Sequence, residues 1–545
     1  MLEVSNRPSQ NELLVQRLRP LGNAKRAELF RLLAQKGVDL GRLPIVPLAE
    51  REDLPLSYAQ QRQWFLWQLE PSSSAYNMPS VLRLHGHLNV PALQRSFDAL
   101  VARHEVLRTR FVQDGAQARQ CIEPRGQVLW REERLADAAT LEQAIVAETE
   151  APFDLVNGPL LRVKLLHLGE EDQVLVLTQH HIVSDAWSLQ LLVQELVALY
   201  QGFSLGLPAQ LPPLPLQYAD YALWQRHWMA AGERERQLQY WQQQLHGAPS
   251  VLELPADRPR PNSPSHRGQQ LGRELPAALS ERLRQLARAE GCSLFMVLLA
   301  SFQLLLQRYS GQTDICVGVP TANRQRSETQ QLLGFFVNTL VLRTRLNSAL
   351  SSRALLQQVK TTVQDAQAHQ DLPFEQLVEV LRPQRSLSHT PLFQVLFNHQ
   401  RQDAGGDHEV AGLRIEPLTG QRQTAHFDLV LDCVEQGAAL HGRFTYATDL
   451  FDAATIERLF DHWQQLLQAM VAQPDVALAE LSLLGAAERE QLLHEWNAAG
   501  LNQPAEQRCV HQLIEQQAAL RPDAEALLVG GHLLTYRQLN EWANR

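Results

Sequence analysis

Hydrophobic positions along the chain follow two spacings that alternate. Residues 174–178 form a short run of apolar and β-prone side chains, which is typical of a buried strand. From residue 189 to residue 199, leucine and valine recur every three or four positions, as on one face of a helix. Ser184 or Asp185 can cap the N-terminus of that helix. The pattern predicts a strand, a tight junction and a helix.

The same alternation continues on both sides of this region. The predicted strands lie near residues 81–84 and 315–319, with a strand pair around residues 335–342. The predicted helices cover residues 24–35, 92–103, 233–245 and 293–309, the second of them opened by Asn89 and Pro91. Proline clusters near residues 208–215 and 249–264 break the pattern. This arrangement predicts two α/β lobes joined by a crossover.

These breaks divide the chain into five segments. We predict a leader or possible docking segment at residues 1–48, a first lobe at 49–225, a second lobe at 226–485, a linker at 486–506 and the start of another domain at 507–545. No sequence repeat relates the two lobes.

Composition narrows the class of protein. The chain has 545 residues, more than one hydrophobic core usually supports, and a formal net charge of −9 with no basic stripe. We therefore expect protein or small-molecule partners and no nucleic acid. The chain has no apolar signal core at its start and no apolar run near the roughly 20 residues that span a bilayer, so we expect a cytoplasmic protein without membrane contact. Five scattered cysteines predict buried free thiols: Cys121, Cys292, Cys316, Cys433 and Cys509.

Two adjacent histidines, His180 and His181, end the predicted strand, and Asp185 follows four positions later. Successive strand side chains point to opposite faces, so one histidine is expected to be structural and the other accessible. An imidazole that titrates near neutral pH is suited to proton transfer. A satisfied polar turn is the alternative for this spacing. A zinc site has no support, because no His-Glu-x-x-His or Cys-x-x-Cys pattern accompanies the pair.

Seven ordered motifs resemble those of the condensation domains of nonribosomal peptide synthetases, which belong to the chloramphenicol-acetyltransferase-like superfamily. The motifs occupy residues 57–64, 103–111, 180–188, 218–224, 334–339, 369–374 and 426–429. They extend over most of the chain in the family's order. The resemblance implies an α/β fold with two chloramphenicol-acetyltransferase-like lobes in a V-shape and an active-site tunnel at their interface.

The resemblance also implies roles for individual residues. His181 would project into the tunnel, as a general base or by positioning an amine, with His180 as its structural support. Asp185 and Arg324 would form an ion pair that anchors the loop. Trp187, Ser188 and Asn338 would line the substrate tunnel, with burial in the core as the alternative for Trp187. No metal and no tightly bound cofactor is implied.

Ala186 departs from the family pattern, which usually has glycine at this position. Glycine suits a backbone with positive φ or a close approach to a ligand. A backbone N–H at residue 186 is a candidate donor to a developing oxyanion. Alanine keeps this donor but restricts the backbone, so strain at this residue is the expectation.

The implied reaction is peptide-bond formation between substrates on the phosphopantetheine arms of an upstream and a downstream carrier domain. Residues 76–79 and 180–188 resemble the L-type subclass. A starter domain that attaches a fatty acyl group and a catalytically silent platform for carrier binding are the alternatives. Residues 522–524 and 533–539 resemble the start of an adenylation domain, so the rest of that domain is an expected partner.

Overall fold

A computed structural model describes residues 10–48, 50–115, 117–135, 137–208, 211–381, 388–402, 408–410, 412–418, 424–498 and 508–545. The chain divides into two compact units, Met1–Leu483 and Leu484–Arg545. The first nine residues of the predicted leader and most of the second half of the predicted linker lie outside the described residues.

The leader contains two helices, α1 (Gln10–Leu18) and α2 (Asn23–Gln35), and the short strand β1 (Leu54–Pro55) follows it. The structure confirms the helix expected at residues 24–35. Helix α1 was not predicted from the sequence. Its first residues are polar, and apolar side chains gather only toward its C-terminal half, which ends at the buried Leu18.

The first lobe begins with the helix that carries the first motif. Its elements are α3 (Tyr58–Leu69), β2 (Asn77–His85), α4 (Val90–Arg103), β3 (Thr109–Asp114), β4 (Gln117–Ile122), β5 (Leu129–Arg134), α5 (Leu141–Thr149), β6 (Leu161–His167), β7 (Asp172–His180), α6 (Ala186–Ser204) and α7 (Tyr218–Trp228). The predicted strand, junction and helix are thus confirmed as β7, a 3₁₀ turn and α6. Asn89 caps α4 by accepting from the Ala92 N–H at 3.1 Å, as its sequence position predicts.

The second lobe repeats the alternation. Its elements are α8 (Arg234–Leu245), β8 (Gly268–Glu274), α9 (Ala277–Ala289), α10 (Leu294–Ser310), β9 (Asp314–Thr321), β10 (Asn338–Arg345), α11 (Ser352–Gln367), α12 (Phe374–Leu381), β11 (Val395–Gln402), β12 (His408–Val410), β13 (Leu413–Pro417), β14 (Leu429–Gln436), β15 (Ala439–Ala447) and α13 (Ala453–Ala472). The strand pair expected around residues 335–342 is wrong, because this region contributes the single strand β10.

Each lobe is built on a six-stranded sheet. The order is β12-β13-β2-β7-β6-β5 in the first sheet and β10-β9-β11-β14-β15-β8 in the second, and β1, β4 and β3 form a small third sheet. The predicted α/β class is confirmed. Strand β13, which lies late in the chain, pairs antiparallel with β2 of the first lobe. The two lobes are therefore joined by a continuous hydrogen-bonded sheet as well as by side chains.

The two sheets carry separate hydrophobic cores. In the second lobe α10 is the central helix, buried over almost its whole length and capped by Ser293 as its sequence predicts. Among the described residues, no single helix passes a length and hydropathy test for crossing a membrane, whereas α9 and α10, bent by 106°, pass it only as a pair. All five cysteines are free, but Cys509 is exposed, so the expectation of burial is wrong for that thiol.

The unit Leu484–Arg545 is small. It holds α14 (Ala486–Glu490), α15 (Val510–Leu520), the antiparallel pair β16 (Glu525–Val529) and β17 (His532–Thr535), and α16 (Tyr536–Ala543). Thr535 and Gln538 form a capping box that starts α16.

Candidate functional site

The two histidines lie where β7 ends and α6 has not yet begun. Strand β2 guides the chain up to this point, because the His181 N–H donates to the Tyr76 carbonyl at 2.9 Å. A single 3₁₀ turn, His181–Val183, then reverses the direction of the backbone. Asp185 ends the turn and caps α6 by accepting from the Ser188 N–H at 2.7 Å. The local sequence thus presents His181 on a short turn with both of its ends fixed.

His180 is buried and held in one tautomer. Its Nδ1 accepts from the Ile182 N–H at 3.1 Å, so the ring proton of the neutral imidazole lies on Nε2. Burial, together with the neighbouring His181, lowers the pKa of His180 to about 3. The ring stays uncharged at neutral pH and is therefore not suited to cycling a proton there.

His181 has the opposite tautomer. Its Nδ1 lies 2.7 Å from the Ser184 carbonyl oxygen, which can only accept, so Nδ1 carries the proton. The neutral ring consequently keeps its lone pair on Nε2. The Phe335 ring packs against the imidazole with the two ring centres 4.6 Å apart. His181 is half-buried, which combines a fixed orientation with access to a second reactant.

Asp185 and Arg324 meet between the lobes, and their side chains are 1% exposed. Arg324 approaches the two carboxylate oxygens at 3.2 and 3.4 Å. It also donates to the Thr329 and Leu332 carbonyls, at 2.7 Å each. The second Asp185 oxygen accepts from the Phe336 N–H at 3.0 Å. Burial lowers the pKa of Arg324, and the Asp185 carboxylate opposes that shift.

Ser188 completes this buried network. Its hydroxyl accepts from Arg324 at 2.6 Å and from the Gly334 N–H at 3.1 Å, and donates to the Gly334 carbonyl at 2.7 Å. With its hydroxyl so engaged and the residue fully buried, Ser188 favours support of the site over lining of a tunnel.

Asn338 is also engaged by backbone on every side. Its amide donates to the Gln370 and Leu372 carbonyls, and its oxygen accepts from the Phe374 N–H at 3.0 Å. It therefore ties the start of β10 to the sixth motif, which again favours support over contact with substrate.

Trp187 is 44% exposed, so the alternative of burial in the core is wrong. Its indole N–H donates to the Gln330 carbonyl at 3.0 Å. The side chain lies on the surface of the first turn of α6, where the indole reaches across to the second lobe.

Ala186 is the first residue of α6 and has an ordinary helical backbone, since it is not among the residues with positive φ. The expectation of strain at this position is therefore wrong. Its N–H belongs to the first turn, whose amides have no acceptor within the helix. The candidate oxyanion donor is retained without distortion of the backbone.

Tyr218 and Phe335 are functional residues to which the sequence assigned no role. The Tyr218 hydroxyl donates to the Phe335 carbonyl at 2.5 Å and lies 2.8 Å from Ser57 Oγ. A methyl group on Gly334 would come within 1.9 Å of the Tyr218 ring, so glycine is needed there for close approach. Each residue lies in a quoted motif, and that membership was the only available signal.

A solvent-connected cavity of about 570 Å³ lies on the other side of the pair and is lined by residues of both lobes. Its walls include Trp67, Tyr76, His180, His266 and His426. The Tyr76 and His426 rings stack with centres 5.4 Å apart. His180, and not His181, contributes to this wall, in line with the alternation of side chains at the end of a strand.

Comparison with known proteins identifies the family. The family model for the condensation domain matches residues 50–493. The linear gramicidin synthase of Brevibacillus parabrevis includes a polypeptide that is 44% identical over 516 residues, which is 92% of this chain and 7% of that protein. The chain spans 7 to 10% of the length of the first three curated relatives.

Solved structures give the same result. The X-domain in complex with OxyB from teicoplanin biosynthesis has a TM-score of 0.75 at 28% identity, covering 82% of this chain and 99% of that one. The four-domain nonribosomal peptide synthetase holo-AB3403, bound to AMP and glycine, has a TM-score of 0.73 at 25% identity, covering 90% of this chain and 38% of that one.

Proposed function

The chain belongs to the condensation-domain family, and on this premise we propose that residues 49–485 form an amide bond between two carrier-bound substrates. The observation that carries the proposal is the tautomer of His181, which directs a lone pair outward from a fixed turn. An uncharged amine is the nucleophile that such a lone pair can generate or orient. The acyl donor would be a thioester on the phosphopantetheine arm of an upstream carrier domain.

The proposed reaction requires one proton transfer. The amine nitrogen of the downstream aminoacyl thioester attacks the upstream carbonyl carbon, forming a C–N bond. The C–S bond breaks, and the proton lost by nitrogen passes through His181 Nε2 or solvent to the departing thiolate. General base catalysis of this kind contributes roughly 10²–10⁴-fold. The alternative role for His181, holding amine and carbonyl at attack distance, accelerates the reaction through orientation.

The other site residues would support this step from behind. Asp185 and Arg324 fix the turn that bears His181, while His180 is locked neutral at the end of β7. The Ala186 N–H, in the first turn of α6, is the proposed donor to the developing oxyanion, because helix N-termini attract negative charge. Ser188 and Asn338 act in this proposal as positioning residues, and Trp187 as the surface residue that joins α6 to the second lobe.

The proposal includes the location and neighbours of the domain. We place it in the cytoplasm, which the free cysteines support, without membrane or nucleic acid contact. Residues 507–545 are proposed to begin an adenylation domain, whose remainder would be a partner in the full synthetase. The L-type subclass is preferred, and a starter domain that accepts a fatty acyl group is the alternative.

A second candidate function is a silent platform, favoured by the likeness to the X-domain that was solved in complex with OxyB. The two functions differ in product. One carrier is loaded with an acyl or aminoacyl group and a second with an aminoacyl group, both are mixed with the protein, and intact-protein mass spectrometry follows the second carrier. An amide-linked product on that carrier supports condensation, whereas binding of both carriers without product supports the platform.

A further inference from the structure

One loop lies between the active-site turn and the leader. We call residues 322–333 the clamp loop, because contacts hold it on two sides. It connects β9 to the motif that contains Phe335. Our inference rests on the proposed function and concerns what the leader does for the active site.

On one side the clamp loop grips the start of α6. Arg324 donates to Ser188 Oγ at 2.6 Å and reaches Asp185 at 3.2 Å. The Gln330 carbonyl accepts from the Trp187 indole at 3.0 Å. The position of the loop thus fixes the first turn of α6 and, through Asp185, the turn that bears His181.

On the other side the clamp loop grips the leader. Arg326 donates to the Gly41 carbonyl and, at 2.5 Å, to the Leu43 carbonyl. Its guanidinium also lies over the Trp224 ring, 4.7 Å from the ring centre. The Glu328 carboxylate accepts from Arg326 at 3.0 Å.

Glu328 reinforces this contact. Although burial acts to raise the pKa of Glu328, hydrogen bonds from its own N–H, from Arg326 and from the Ile45 N–H outweigh burial, and the pKa lies below its ordinary value. A carboxylate that stays ionised in this position holds the arginine and the leader backbone together. Arg326 and Glu328 are therefore both committed to leader residues.

The leader is itself firmly attached to the first lobe. The buried Arg26 donates to four backbone carbonyls, which draws the end of α1 and residues 46 and 47 against α2. The Leu48 N–H donates to Asp220 on α7 at 2.8 Å. The leader side chains of Phe30, Leu40 and Ile45 share one hydrophobic core with Leu332 and Leu333 of the clamp loop. An arm that only tethers another protein needs none of these contacts.

We propose that the leader turn at residues 39–45 is part of the catalytic machinery, with Arg326 and Glu328 as positioning residues for His181. The chain of contacts runs from Gly41 and Leu43 to Arg326, along the clamp loop to Arg324, and from there to Asp185. Loss of the Arg326 contact lets the clamp loop move relative to α6. A displacement on the order of 1 Å in a reacting group costs up to roughly 10²-fold in rate.

The test is steady-state condensation with loaded carriers for Arg326→Gln, Arg326→Lys and Arg42→Gln. Arg42 is the matched control, since this exposed leader arginine pairs with Asp39 of its own turn, at 3.1 Å. We expect Arg326→Gln to lower kcat on the order of 10-fold with KM for either carrier within about twofold, Arg326→Lys to recover part of the loss, and Arg42→Gln to match the parent. An unchanged kcat in Arg326→Gln overturns the proposal, as does a loss confined to KM.

Hydrogen exchange separates this inference from the proposed function. In Arg326→Gln we expect faster exchange at the amides of Ser188, Gly334 and Phe336, with no change in α10. Unchanged exchange at the three amides overturns the inference. If the parent forms no amide product, the proposed function fails and exchange alone decides the role of Arg326. If Arg326→Gln does not fold, Glu328→Gln takes its place in both measurements, with the same expected and contrary results.

Discussion

The Arg324 guanidinium lies 3.2 Å from the Asp185 carboxylate, although the two residues come from different lobes and are 139 positions apart. Each lobe therefore holds a charge that the other lobe neutralises. Both side chains are buried, so the pair links the packing of the lobes to the geometry of the turn that bears His181.

The first prediction concerns this pair. Arg324→Gln leaves the Asp185 carboxylate buried without its counter-charge, and we expect the free energy of unfolding to fall by about 3–5 kcal/mol. Urea denaturation measures the loss. Arg288→Gln is the control, because its ion pair with Glu281 is exposed and removal should cost at most about 1 kcal/mol. Equal, small losses in the two variants would contradict a structural role for the buried pair.

The second prediction concerns Ala186. Its backbone is helical, so replacement by glycine relieves no strain. We expect Ala186→Gly to condense loaded carriers at a rate within about twofold of the parent and to lose up to about 1 kcal/mol of stability. A rate increase of about tenfold would show instead that the methyl group obstructs the reaction.

The third prediction concerns the Tyr218 hydroxyl, which donates to the carbonyl of the residue that packs on His181. Tyr218→Phe leaves that buried carbonyl without its donor, at a cost of about 1–3 kcal/mol, and frees Phe335 to shift. We expect slower condensation as well as lower stability.

Tyr446→Phe is the matched control for Tyr218→Phe. The Tyr446 hydroxyl donates to Gln269 at 2.9 Å on β15, within the sheet of the second lobe. This variant should lose stability without losing rate. If both variants lose rate equally for equal destabilisation, Tyr218 has no specific link to His181.

The fourth prediction concerns pH. The pKa of His180 is about 3 in the folded chain against an ordinary value of 6.5, so below pH 6.5 the unfolded chain binds a proton that the folded chain does not. Stability is therefore complete above pH 6.5 and falls as the pH is lowered toward 3. Between pH 7 and pH 5.5 the expected loss is about 1 kcal/mol from this residue.

His180→Asn tests the assignment, since the asparagine oxygen can still accept from the Ile182 N–H without titrating. We expect a shallower dependence of the unfolding free energy on pH. A residual slope remains, because burial lowers the pKa of His227 to about 4 as well. The exposed His87 provides the control variant, His87→Asn, whose slope should equal the parent's. An unchanged slope in His180→Asn would contradict the pKa of about 3.

Local patterns predicted the elements that carry the site. Strand β7 and helix α6 follow from hydrophobic spacing, and the caps at Asn89 and Ser293 follow from residue type and position. Contacts made at long range had no such signal. The pairing of β13 with β2 and the grip of Arg326 on the leader join residues hundreds of positions apart, which spacing within a window does not encode.

Side-chain roles at the site were predicted less well than positions. Trp187 is exposed because its indole bonds to Gln330 of the other lobe, and Ser188 is fully buried because Gly334 comes close enough to bond its hydroxyl. Both outcomes depend on how the lobes meet. The family motifs indicated which residues gather at the site, whereas the contacts themselves required the structure.

The central claim is that His181, through Nε2, acts on the attacking amine while His180 supports it. The most direct measurement is the single-turnover rate of amide formation with both carriers loaded in advance, for the parent, His181→Ala and His180→Asn, each checked for folding by its thermal midpoint. We predict a loss of at least about 10²-fold for His181→Ala at an unchanged midpoint, and a much smaller loss for His180→Asn. Full rate in a folded His181→Ala protein would contradict the account.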